Sequence, residues 1–251
     1  MDTSTLDLLD FLILAITGFA AGWINVLAGG GSLLTMPMAI FLGLEAGVAN
    51  GTARLAILVQ NITAISRYQQ KKAINWKEVI PYVIPCTLGA LIGARFAALA
   101  SHEATTQILG LAIIGAVMMV IIKPTQKKSE TTTERPLLRF VAFFLIGIYG
   151  GAIQAGVGYL LIAGLTFIGG MTLVNANILK VILVGAYTPF VIVFFWQASR
   201  IHLYAALALA VGQSMGAWLA ASFALEKSEK WVRAFLLVTV IASAAKLLGL
   251  F

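Results

Sequence analysis

Apolar residues run through this chain in ten stretches, five in each half, separated by short polar or glycine-rich breaks. They cover Leu8 to Leu27, Leu33 to Leu44, Gly51 to Tyr68, Val79 to Leu99 and Thr105 to Ile122, then Leu137 to Ile153, Leu160 to Ile168, Ile178 to Trp196, Leu203 to Leu225 and Trp231 to Leu250. Most are long enough to cross a bilayer as helices, which takes roughly 20 residues. The second stretch of each half is much shorter and follows a glycine turn, so it is expected as a half-helix or a tightly packed short helix. The fold class is all-α and polytopic.

The pattern repeats. Ala28-Gly29-Gly30-Gly31-Ser32-Leu33-Leu34 returns 127 residues later as Ala155-Gly156-Val157-Gly158-Tyr159-Leu160-Leu161, and the same spacing relates Gly43 to Gly170, Ala49-Asn50 to Ala176-Asn177 and Gly89-Ala90 to Gly216-Ala217. This predicts an internal duplication, residues 1–123 and 137–251, joined by a polar linker over 124–136. A glycine break at membrane depth exposes backbone groups that lipid cannot satisfy, so it must be buried in protein or line a wet cavity. Two such breaks at matching places in two halves point to a transport site.

Composition settles the class as a polytopic membrane protein. With 60% hydrophobic and 11% charged residues, the chain exceeds the apolar share of ordinary globular proteins. The acidic start, Met1-Asp2-Thr3-Ser4-Thr5-Leu6-Asp7, is unlike a basic secretory leader and predicts an uncleaved first helix. A lone Cys86 leaves no intramolecular disulfide, thiolate metal cluster or CxxC motif, and reads as a small apolar residue of a helix. The net charge of +7 suits loops facing anionic lipid and does not call for nucleic acid.

Charge placement sets the expected orientation. Arg67, Lys71, Lys72 and Lys77, then Lys123, Lys127, Lys128, Arg135 and Arg139, then Lys227, Lys230 and Arg233 gather 12 of the 17 basic residues into three loops. Lysine and arginine are retained on the cytoplasmic side, which places these loops inside and both termini outside. That parity requires an odd number of crossings per half, or three plus a re-entrant hairpin. The repeats are then inverted.

Arg54, Arg95 and Lys180 fall within apolar stretches, whereas no Asp or Glu lies at the centre of one. An ionisable group in a membrane is expensive unless it faces a cavity or a partner. Arg54 and Lys180 stand in nearly matching places, each in the expected first turn after an Asn-containing start, Asn50-Gly51-Thr52 or Asn175-Ala176-Asn177. One reading has them face a cavity; the other has them snorkel to the headgroups. For Arg95, near a helix end, snorkelling is the better reading.

The glycines complete an anion site. Gly29, Gly30 and Gly31, and Gly156 and Gly158, precede short helices whose free N–H groups and positive dipole ends would face the break. Close helix packing through small residues explains Gly89 and Gly93 well and the triple-glycine run poorly. With Ser32, Asn50, Thr52, Gln154 and Asn177, these glycines and the two cations form the candidate substrate-binding set; Asn25, Gln60, Asn61, Tyr187, Thr188, Gln213 and Ser214 are further candidates for its lining.

The run from Ala28 through Pro37, followed by Gly43-Leu44 and Ala49-Asn50-Gly51-Thr52, with its degenerate second copy, resembles the TauE/SafE family of sulfite and organosulfur anion transporters. The resemblance covers nearly the whole chain. It implies a secondary transporter in the inner membrane, without cofactor or metal, for sulfite, a sulfonate or a related small anion, working by alternating access. Related thiosulfate importers carry several cysteines along their path, and this chain has one.

Two other classes compete: a passive anion channel built from the same breaks, and a sodium-coupled carrier of a neutral solute. Saturation of flux separates the first, and substrate charge the second. An intramembrane enzyme would need a nucleophile with its base or a metal cluster, and His102 and His202 lie in loops away from any such set.

Overall fold

The computed structural model describes residues 6–101, 103–105, 107–108 and 136–226. The regular elements among them are all helical: α1 Leu8–Ala28, α2 Ser32–Phe41, α3 Ala46–Gln70, α4 Trp76–Leu99, α5 Pro136–Ala152, α6 Val157–Phe167, α7 Leu173–Gln197 and α8 Leu203–Glu226. Nearly all of the expected fifth stretch of the first half, all of that of the second, the linker up to Arg135 and the Lys227 to Arg233 loop lie outside the described residues, while Pro136, expected in the linker, opens α5.

The 127-residue spacing carries into the backbone. Helix α3 begins and ends 127 residues before α7, and α4 does the same before α8. Residues with left-handed backbone fall at the same offset: Gly29 and Gly156 at the breaks, Gly43 and Gly170 after the short helices, and Lys72 and Ser199 after α3 and α7. At Gly29, φ is +91° and its N–H donates back to the Asn25 and Ile24 carbonyls, ending α1. Glycine holds this conformation without the steric cost a Cβ would bring.

Helices α3 and α7 start five residues earlier than the apolar pattern implied, at Ala46 and Leu173 instead of Gly51 and Ile178. The pattern misled because Asn50, Thr52 and Asn177 look like turn residues but are buried in the bundle. Thr172 supplies the true start of α7, its hydroxyl accepting from the Asn175 N–H. Arg54 and Lys180 are therefore two turns into their helices and not in the first turn.

Contacts fix the helix directions. Thr52 meets His202 and Arg67 meets Ser222, so α3 and α8 run parallel. Arg54 lies by Phe195 while Asn61 and Ile65 lie by Gly185, so α3 and α7 run antiparallel. Gly18 and Gly22 of α1 abut Leu209 and Gln213 of α8, and Gly147 and Gly151 of α5 abut Cys86 and Ala90 of α4, making both pairs parallel. The five-residue turn after α3 reverses the chain into α4. Hence α1 opposes α5, α3 opposes α7 and α4 opposes α8.

Those pairings exchange the halves: α1 packs chiefly on α8 and α4 on α5, while α3 packs on α7 and α8 and α4 on α7. Glycines four apart make the α1–α8 and α4–α5 approaches possible. A Cβ at Gly89, Gly93, Gly212 or Gly216 would sit about 2 Å from a carbonyl oxygen of the facing helix. Outside, Leu9, Leu12, Ile16, Ile84, Phe96, Phe190 and Trp218 are exposed, a surface suited to lipid.

Among the described residues four helices, α1, α4, α7 and Leu203–Phe223 of α8, are long and apolar enough to cross a membrane. Helix α3 matches α7 in length but is too polar to qualify, because its buried face carries Asn50, Thr52, Arg54, Gln60 and Asn61. At ten and eleven residues, α2 and α6 reach about half the hydrocarbon thickness at 1.5 Å per residue.

Candidate functional site

The two glycine breaks touch. A Cβ on Gly29 would lie 2.7 Å from Gly158 backbone atoms, and one on Gly158 would lie 2.4 Å from Gly29 Cα. Ser32, opening α2, donates its hydroxyl to the Gln154 carbonyl at 3.2 Å, joining the breaks a second time. Around the contact Ala28, Leu33, Met36, Ala53, Ile153, Ala155 and Tyr159 form one small apolar cluster drawn from both halves. Gly30 faces the ring and hydroxyl of Tyr159, and Gly31 faces the α1 backbone at Ala21.

Each half clamps the broken helix of the other. From α3, Asn50 donates to the Ala152 carbonyl at 2.8 Å, and Arg54 Nη1 donates to the Gly150 carbonyl and to Gln154 Oε1, both at 3.0 Å. From α7, Asn177 donates to the Val26 carbonyl at 2.5 Å, and Lys180 Nζ donates to the Asn25 carbonyl at 2.6 Å and Asn177 Oδ1 at 2.7 Å. The carbonyls at a helix C-terminus lack intrahelical partners and carry the negative end of the dipole. Cations and amides one turn apart on α3 and α7 answer both needs.

Arg54 is 0% exposed and Lys180 2%, so neither reaches a headgroup. Among the described residues, no carboxylate is a hydrogen-bond partner of either. Arg54 Cζ lies 4.8 Å from the centre of the Phe195 ring, a cation–π contact, yet its Nε and Nη2 are buried without hydrogen-bond partners. Gln154 has φ of +64°, a conformation a residue with a side chain seldom holds, and its Oε1 also accepts from Tyr187 at 3.5 Å. Strained backbone of this kind tends to persist at functional sites.

The remaining expected residues divide. Gly156 caps α6 in left-handed conformation with no side-chain cap at that helix start. Thr52 turns away from the breaks: its hydroxyl accepts from the His202 N–H and positions the start of α8. Asn25, Gln60 and Asn61 form a hydrogen-bonded row between α1 and α3. Thr188 and Ser214 bond carbonyls of their own helices, Val184 and Val211. Gln213 is buried against α1, with Oε1 unpaired. Arg95 is exposed, outside the cluster. Phe195, over Arg54, and Tyr149, whose hydroxyl donates to the Ala155 carbonyl at the second break, carried no sequence signal, since an aromatic in an apolar helix does not show what it will face.

A family model described as sulfite exporter TauE/SafE matches residues 14–247. The chain is 28% identical over 262 residues to a protein named probable membrane transporter protein ORF9 from Sinorhizobium sp, covering 99% of this chain and 95% of that one. It is 22% identical to the probable membrane transporter protein YfcA of Escherichia coli strain K12, covering 94% and 88%, and 23% identical to a probable membrane transporter protein of Haemophilus influenzae, covering 94% and 93%. No solved structure matches it. These matches, with the apolar helices, make this a multi-pass membrane protein and a transporter, not an enzyme. The chain belongs to the TauE/SafE sulfite exporter family.

Proposed function

We propose that this protein is a secondary transporter of a small anion, such as sulfite, a sulfonate or a small carboxylate, working by alternating access between two inverted halves. The halves are residues 1–123 and 137–251, with 124–136 as a cytoplasmic linker and both termini outside. The opposed directions of α1 and α5, α3 and α7, and α4 and α8 support the inversion. Arg67, Lys71, Lys72, Lys77 and Arg139 gather at the end where α3 finishes and α4 and α5 begin, which supports a cytoplasmic assignment for that end.

One observation carries the anion: two buried basic side chains lie beside the breaks, and among the described residues neither has a carboxylate partner. An uncompensated buried charge is costly, and a bound anion would offset it. We place the substrate among Gly29, Gly30, Gly31, Ser32, Asn50, Arg54, Gln154, Gly156, Gly158, Asn177 and Lys180, with Thr52 bracing α8. The backbone contact between Gly29 and Gly158 favours a carrier over an open channel, because it closes the middle of the path.

Labelled sulfite exchange in proteoliposomes tests this. A carrier saturates and is accelerated by unlabelled sulfite on the opposite side. Flux that rises without saturation identifies a channel, and flux of neutral solutes alone removes the anion.

A further inference from the structure

The two buried cations are used differently. Lys180 has three N–H donors and three acceptors within reach: the Asn25 carbonyl at 2.6 Å, Asn177 Oδ1 at 2.7 Å and the Val26 carbonyl at 3.4 Å. It is saturated by protein. Arg54 has five donors, and only Nη1 finds acceptors. Nε and Nη2, fully buried, keep one whole edge of the guanidinium unpaired.

That edge has a shape. The Nε–H and one Nη2–H point the same way in one plane, a fork that matches two oxygens of one oxyanion and that an ammonium cannot copy. One turn earlier on the same face, Asn50 Oδ1 is a second buried atom without a partner, an acceptor suited to a hydroxyl on a protonated oxyanion. The cations also sit at different levels. Arg54 meets α7 at Phe195 and, through Gln154 Oε1, at Tyr187, fifteen and seven residues beyond Lys180.

We infer that, of the two cations in the set proposed above, only Arg54 touches the anion, by a two-point contact from Nε and Nη2, and that Lys180 is a positioning residue that locks the broken end of α1. This rests on the anion-transporter reading above and assigns the recognition of two oxygens of one anion to a single guanidinium.

The test uses the purified full chain in nanodiscs, with sulfite as a two-point probe and thiocyanate as a probe without paired oxygens. Arg54→Lys keeps the charge and loses the fork. The sulfite Kd rises about tenfold or more, the range lost with a charge-assisted contact, and the preference for sulfite over thiocyanate disappears. Lys180→Met lowers the sulfite exchange rate about tenfold with the Kd moving less than about threefold, and Lys180→Arg recovers part of that rate. An Arg54→Lys protein that binds sulfite like wild type, or a Lys180→Met protein that loses binding tenfold, overturns the division. If Arg54→Lys does not fold, Lys180→Met decides by whether it keeps the preference for sulfite. Wild type that binds neither anion refutes the anion reading itself.

Discussion

Gly29 and Gly158, 129 positions apart in sequence, meet backbone to backbone, so closely that a Cβ on either would lie within 2.7 Å of the other. This contact joins the two broken segments at the centre of the bundle.

Gly158→Ala is expected to destabilise the protein by about 1 to 3 kcal/mol, the range for overpacking, because the methyl group meets backbone that cannot rotate away. Gly164→Ala is the control: its Cβ would meet only side-chain atoms of Phe143 and Ile146, at 3.2 Å or more. Thermal unfolding in nanodiscs compares them. A Gly158→Ala protein as stable as Gly164→Ala would mean that the breaks do not touch.

The crossed clamps predict additivity. Asn50→Ala leaves the Ala152 carbonyl at the end of α5 without that partner, and Asn177→Ala does the same to the Val26 carbonyl of α1. Each is expected to cost about 1 kcal/mol, within the range for single hydrogen bonds, and the double variant about the sum, since they act on separate helix ends. Chemical unfolding of the four proteins measures this. A double variant no worse than either single one would merge the clamps into one site.

Lys72 and Ser199 are both exposed, both left-handed and 127 residues apart, yet they lie at opposite ends of the bundle. Cysteine placed at 72 is expected to react with an impermeant maleimide only after permeabilisation, and cysteine at 199 in intact cells; the native Cys86 is buried. Labelling of both from the same side would remove the inverted arrangement.

Much of this was legible in the chain. Two copies of one pattern located α3 against α7 and α4 against α8, because insertions had not disturbed the spacing after the breaks. Asn50, Asn177, Arg54 and Lys180 stood out because polar groups are rare in apolar stretches. Their targets did not. Asn25, Val26, Gly150 and Ala152 act through carbonyls, which every residue has, so only the fold reveals which ones are clamped. Thr52 belonged to the same motif yet serves the start of α8, since side chains two apart on a helix point in different directions. The helix starts were misplaced for the same physical cause: buried amides look like turn residues in sequence.

Sulfite flux in proteoliposomes under an imposed potassium diffusion potential reports whether the protein moves a charged solute. A monovalent anion gains about 2.3 kcal/mol per 100 mV on leaving a negative interior, so export needs no coupling ion. Among the described residues, the buried cations have no carboxylate partner to relay a proton. Saturable sulfite efflux that speeds up as the interior is made more negative is the predicted result. Flux that ignores the potential and follows an imposed pH gradient would contradict it.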